Sequence, residues 1–465
     1  MLRVSALAEK SGIPSASLIC EGFTGQAATT AVGLGLPNLP LAKVPGHVDV
    51  QPEDELRANV LGITFPDVLA NLTGSHDAAA SDNEPAAGDI VFEGDFDEVN
   101  RLYYENGWSD GLPIVPPTQA RIDAFLRYTG LDPDTELGAM LPDNRQATPR
   151  VVAVNGVMAG CKPQYMPVLV ALARAMANPD YGVEHSGNTP GAETLIILNG
   201  PIIKQLEFNF EQGALRDGFQ ANTSVGRFWR LMLLNVAGFR LHQNDKATFG
   251  NTFRVVLAEN EAVLREIGWP PLATDRGFAS GQNAVTISRF TGGDVILSVF
   301  GSTAEKILPY LSDAVAKQNG WELVFAAGMA NGMLCPMLIL SPVLAKTIAS
   351  SGFSRDDVKQ YLFDHARIPA SKFERYIGEW TNIVPGRRLL SGLVAEGKAP
   401  PVMAESSDPE RLVPIVAKPE DFMIAVSGDP LRTNAYTFAH NGVLGYPVTE
   451  AIELPADWDA LLGDV

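Results

Sequence analysis

The sequence predicts an α/β protein in two parts: a partial doubly wound segment over residues 1–72 and a large α/β domain over 90–465, joined by a flexible linker at 73–89. Three observations carry this reading. The chain has 465 residues, beyond the size at which one hydrophobic core keeps growing. Residues 2–44 alternate helix-like and strand-like runs. Beyond the linker, helical segments are interspersed with short apolar strands.

Leu2–Lys10 reads as a short helix, stopped by Ser11-Gly12-Ile13-Pro14. Ala16–Cys20 reads as a buried strand, Gly22–Gly35 as a helix of small residues, and Leu41–Val44 as a second short strand. Such a fragment cannot bury its own apolar faces, so it must dock on the rest of the chain or on a partner. From Thr73 to Asp89 the composition shifts to Gly, Ser, Asp, Asn, Pro and Ala, the mark of a flexible linker. In the large domain, helices are expected around Phe96–Glu105 and Met166–Met176. Strands are expected at Thr194–Leu198, Phe253–Leu257, Val285–Ser288 and Leu323–Ala327. The 43 glycines and 33 prolines are spread along the chain, which predicts many tight loops around a compact site.

With 46% hydrophobic and 19% charged residues, the composition is that of a folded globular chain. Its net charge of −19 repels phosphate backbones and anionic membranes. The densest basic stretch, Arg227, Arg230 and Arg240, is interrupted by Phe228, Trp229 and Leu231–Leu234, so nucleic-acid binding is not expected. No apolar run reaches the roughly 18 residues of a membrane span, and the N-terminus lacks the apolar core of a secretory signal, so a cytoplasmic location is expected. Three scattered cysteines, Cys20, Cys161 and Cys335, suit reduced thiols better than a disulfide framework. The six histidines, His76 and His242 among them, show no metal-ligand spacing, and no phosphate-loop, GxGxxG or GxSxG signature is placed for function. No metal site is therefore expected, and no cofactor is indicated.

Several residues are candidates for chemistry. Asp110 lies in a glycine- and proline-flanked loop that could hold its carboxylate as a base or substrate anchor, or simply cap a turn. Trp108 either lines the same pocket or packs in the core. Cys161 stands beside Lys162 and a possible helix start near Pro163, a setting that could activate the thiol; the other reading is an inert buried cysteine. His185, in a polar loop, is the acid/base candidate of the six histidines, or an exposed loop residue. Arg227 and Arg230, three apart on one helical face with Asn235 beyond, could hold a carboxylate or form internal ion pairs. His47 follows a strand where the N-terminal segment would contribute to a cleft.

Leu7–Pro14, the strand ending in Ile19-Cys20, Phe23, Gly33–Pro37 and Val44–His47 together resemble the second half of the UGSC domain. More distantly they resemble the end of the selenoprotein subunit of glycine and betaine reductase component B. Asn106–Thr118 is similar to the opening signature of the large domain found fused to UGSC modules. Further similar blocks are Asn155–Pro163, Asn199-Gly200-Pro201, Ser224–Asn235, Ala258–Glu261 and Arg276-Gly277-Phe278.

The resemblance implies a flavodoxin-like N-terminal segment and thiol-dependent reductive cleavage or elimination on a small molecule. In those proteins a selenocysteine or cysteine followed by Gly-Ser-Cys lies just upstream of the matching helix, and this chain starts after that point. The leading expectation is thus the large subunit of a two-component, oligomeric enzyme. A small partner would supply the cysteine or selenocysteine motif, and Asp110, Arg227 and their neighbours would bind an anionic substrate; a gene start further upstream is the simpler variant. The alternatives are a self-sufficient lyase, hydratase or hydrolase using Cys161 or Asp110 with His185, and a non-catalytic scaffold.

Overall fold

The helix expected first in the sequence forms at Leu2–Lys10, and the left-handed Gly12 (φ +74°) turns the chain out of it. Strand β1 (Ser17–Cys20) then pairs in parallel with β2 (Leu41–Val44), in register from Ser17 opposite Leu41 to Cys20 opposite Val44. Helix Thr24–Gly33 makes the crossover, so residues 17–44 are a βαβ unit. This computed structural model describes residues 2–48, 50–74, 88–320, 332–379, 389–440 and 442–463. Most of the expected linker, His76 and the strand expected at Leu323–Ala327 lie outside the described residues.

One expectation needs correction: β1 is not a buried strand, for Leu18 is 49% exposed. Parallel strands normally sit in larger sheets covered on both faces, whereas this sheet has two strands among the described residues. The segment's own core among the described residues is small, built from Ala6, Ala31 and Leu39.

The segment docks on the rest of the chain through close contacts. Arg3 pairs with Glu184, and helix Thr24–Gly33 lies so near the loop at Pro142 that a Cβ on Gly33 would stand 1.6 Å from the Pro142 carbonyl oxygen. Glycine is required there by approach, since backbone on both sides cannot yield cheaply. Gly33→Ala is expected to loosen residues 2–74 from the large domain. Limited proteolysis should show faster cleavage in that segment with the large-domain fragment still intact.

In the large domain, β3 (Gly138–Met140) and β4 (Arg145–Ala147) form a small hairpin. The central sheet contains β5 (Glu193–Asn199), β6 (Val256–Ala258), β7 (Ala284–Ile296), β8 (Met337–Leu340), β11 (Met423–Val426), β12 (Ala435–His440) and β13 (Val448–Ala451). Strands β9 (Arg367–Pro369) and β10 (Leu412–Pro414) pair with each other outside it. The sheet order is β11-β8-β12-β7-β5-β6, with β13 also on β7; β5 runs parallel to β6 and β8 to β11, while β7 and β12 are antiparallel to their neighbours. The strand expected at Val285–Ser288 is longer because β7 is the spine that β5, β12 and β13 all pair with. The strand expected at Phe253–Leu257 is shorter because its pairing with β5 spans only Val256–Ala258.

Alternation along the strands divides the core. Leu195 and Ile197 of β5, Met337 and Ile339 of β8, and Met423 and Ala425 of β11 share one cluster with Phe290 and Phe438. The intervening Ile196 and Leu198 join the cluster built on helices Pro149–Ala159, Met166–Ala177 and Gln220–Met232. Leu338, Leu340, Ile424 and Val426 instead join the cluster of helices Ala304–Asn319, Pro342–Ser350 and Arg355–His365. The sheet curls, and its two ends meet: the Asn260 N–H, just past β6, donates to the Val426 carbonyl at the end of β11 (2.7 Å). The mixed helices and strands give an α/β fold. Among the described residues no helix is long and apolar enough to cross a membrane.

Candidate functional site

Helix Phe96–Glu105 opens on Asp95, whose side chain caps the Glu98 N–H in a reciprocal capping box, and it delivers the chain into the loop 106–118. Gly111, at φ +88°, takes a left-handed turn that bulkier residues rarely adopt. The loop is fastened to helix Gln220–Met232. Arg227 donates to both oxygens of Asp110 (Nε to Oδ2 3.0 Å, Nη2 to Oδ1 2.8 Å) and to the carbonyl of Pro113 (2.9 Å). Arg254 stands 3.4 Å from the same carboxylate.

Helix Pro149–Ala159 begins at Thr148, which caps the Val151 N–H, and ends at left-handed Gly160 (φ +81°), placing Cys161 against Ser224 and Arg227. Asn235 lies in the wide π-type turn Leu233–Ala237 that continues helix Gln220–Met232. It donates to the Trp108 carbonyl and to Asn155 Oδ1, each at 3.1 Å, while its own Oδ1 is buried without a partner among the described residues. Trp108 packs edge-on against Tyr103.

The structure therefore brings Trp108, Asp110, Cys161, Arg227 and Asn235 together, and adds Arg254 and Ser224, which sequence reasoning passed over. Arg254 sat within the expected strand at Phe253–Leu257, which hid it as a framework residue.

Electrostatics limit what these groups can do. Burial alone would raise the pKa of Asp110, but its hydrogen bonds with Arg227 and the charges of Arg227 and Arg254 outweigh it and hold the carboxyl below the usual range. A carboxylate so stabilised is a weak base, and its role is to fix two guanidinium groups. Burial pushes the Cys161 thiol up to about 12, against the opposing pull of Ser224 and Arg227. Lys162, the expected activator, turns instead toward Glu207 (3.8 Å). Cys161 is thus a protonated, packed thiol at neutral pH. Cys335 is likewise buried, with its thiol pushed up to about 11. All three cysteines are free, and Cys20 is the one that is partly exposed. A thiol reagent near pH 8 is expected to modify Cys20 alone in the native protein and all three in denaturant, read by intact mass.

The remaining candidates lie elsewhere. Arg230 pairs with Glu193 and Asp245, both at 3.2 Å, so it serves internal ion pairs and takes no part in the Asp110–Arg227 contact. His185 sits beside the Arg3–Glu184 pair where the N-terminal segment docks. Burial, together with Arg289 and Arg3, lowers its pKa despite the attraction of Glu184. No hydrogen bond among the described residues joins it to Asp110 or Cys161. His47 rests against Phe23 within the N-terminal segment (ring centroids 5.8 Å). No group of three or more His, Cys, Asp or Glu residues is gathered as a metal-ligand set among the described residues.

The model of the UGSC family matches residues 2–74. That match covers the βαβ segment and the helices that follow it. No curated protein and no solved structure matches the chain.

Proposed function

We propose that this chain is the large subunit of a two-component, thiol-dependent enzyme, in which a second polypeptide supplies the reactive cysteine or selenocysteine and completes the sheet begun by β1 and β2. The observation that carries this reading is the two-stranded parallel sheet, in which β1 has no strand partner on its outer edge among the described residues, whereas the outer edge of β2 is held by Thr64, Asp67 and Asn71. Around it lie large apolar side chains left in solvent: Val4 and Leu7 on the first helix (70% and 66% exposed), Leu18 on β1, and Phe65 and Leu69 on helix Phe65–Thr73. Exposed apolar surface concentrated on one segment marks an interaction site, and adding strands to a free sheet edge satisfies backbone groups and buries that surface together.

The chain's own buried thiols fit the same reading, since Cys161 and Cys335 are held protonated and are poor nucleophiles, which leaves Cys20 on β1 as the accessible thiol of this chain. The two guanidinium groups around Asp110 carry one net positive charge, a setting suited to an anionic small molecule. The reaction class is reductive cleavage or elimination, and the cytoplasm is the compartment in which such thiols stay reduced. A self-sufficient enzyme built on Cys161 or Asp110 is disfavoured by the raised thiol and the doubly paired carboxylate.

Charged substitutions on the open face test the reading. Leu7→Glu combined with Leu18→Lys is expected to abolish co-purification of the second polypeptide from the native cells and to reduce turnover at least about 100-fold, with the thermal midpoint of the isolated chain unchanged. Full assembly and turnover in this variant would overturn it. An assembled complex with no turnover for the wild type would point to a scaffold.

A further inference from the structure

Three strands of the central sheet end at one place. Asn199 closes β5, Glu259 follows β6, and Val426 closes β11. Asn199 Nδ2 and the Leu272 N–H donate to Glu259 Oε2 (2.6 and 2.8 Å), and the Val426 N–H approaches Oε1 (3.3 Å). Beside them is a cavity of about 330 Å³ whose walls include Gly200, Phe210, Glu259, Glu261, Lys204 and Arg265. In α/β sheets the carboxyl ends of the strands are where ligands gather.

One further fact points to an occupant. Lys204 and Arg265 stand exposed at the rim, and neither makes an ion pair among the described residues.

We propose that this cavity binds a small carboxylate-bearing molecule, anchored by Lys204 and Arg265, and that Glu259 takes up a proton from solvent as it binds. The site stands apart from the Asp110 cluster and does not depend on the partner proposed above. Carboxylate is favoured over phosphate because Glu259 and Glu261 share the cavity, and their charge opposes a dianion more than a monoanionic group. The proton comes from solvent and stays on Glu259 while the anion is bound, with no other reactant needed.

The protonation state of Glu259 is poised for that task. Burial raises its pKa to about 7, against the three hydrogen bonds and the charge of Arg355. Arg355 lies behind it, itself engaged with Asp275, which also holds Lys359 (2.8 Å); Glu261, Lys204 and Arg265 are the charged groups on the cavity side. An anion entering the cavity disfavours the ionised form of Glu259 further, so binding takes up a proton.

Calorimetric titration of acetate, a monoanion throughout the range, into the full chain tests this. Affinity is expected to fall about tenfold between about pH 6 and about pH 8, with proton uptake seen by repeating the titration in buffers of different ionisation enthalpy. Lys204→Ala and Arg265→Ala, both at exposed positions, should each weaken binding about tenfold. Glu259→Gln should bind acetate with no pH dependence; if that variant does not fold, the proton uptake of the wild type decides the matter. Absence of binding up to about 10 mM acetate, unchanged affinity in both rim variants, or inorganic phosphate binding as tightly would overturn the site. Binding without proton uptake would overturn the role of Glu259 and leave it a framework residue.

Discussion

Asp110→Ala is expected to lower the free energy of unfolding by about 3–5 kcal/mol, because it strands two guanidinium groups that the carboxylate now neutralises. The Asp110 side chain is 5% exposed and Arg227 grips it with two parallel hydrogen bonds, so water cannot take its place without moving the loop. Losing it also frees the carbonyls of Leu112 and Pro113 to move with Arg227. The sign with pH follows from the depressed pKa of this carboxyl. Its stabilisation is fully present above the unfolded-state value and is lost as pH falls through the lower folded-state value. Denaturant unfolding at neutral pH and in acid should therefore show the wild type and Asp110→Ala converging at the acid end.

The second large effect is expected at Gly226, where helix Gln220–Met232 presses on the chain entering β6. A Cβ there would stand 2.3 Å from the Arg254 carbonyl carbon and 2.4 Å from the Val255 nitrogen. Both are backbone atoms, so the helix or the strand must shift, and Gly226→Ala is expected to cost about 3 kcal/mol. The shift would carry Arg254 away from Asp110. Gly226→Ala and Asp110→Ala are therefore expected to be non-additive, since both act through the same cluster, and a double-mutant cycle by chemical denaturation measures the shortfall.

The N-terminal βαβ unit was legible because its periodicities are local: Leu2–Lys10 and Leu41–Val44 fall where the apolar spacing puts them. What was not legible was its environment, since burial of Leu18 depends on strands that the local pattern does not contain. In the large domain, β5 was read from its continuous apolar run, while the full length of β7 was hidden by Gly292-Gly293-Asp294, which pairs with β12 without looking strand-like. Asp110 and Arg227 were expected together only as substrate-binding neighbours, whereas their direct pairing, and the engagement of Arg230 with Glu193 and Asp245 instead, depend on contacts far apart in sequence. The activation expected at Cys161 failed to appear because Lys162 is adjacent in sequence but turns away in space, and because burial outweighs a single neighbouring charge. Glu259 drew no attention as a titrating group because its raised pKa arises from the meeting of β5, β6 and β11, a long-range event that no window of sequence contains.

The central claim is that β1 and β2 are finished by a thiol-bearing second polypeptide. Native mass spectrometry of the protein purified from its own cells under reducing conditions tests it most directly. The account predicts a complex in which this chain and a smaller polypeptide with a Gly-Ser-Cys-type motif occur in a fixed whole-number ratio. A homo-oligomer or monomer of this chain that turns over its substrate with no second polypeptide present would contradict it.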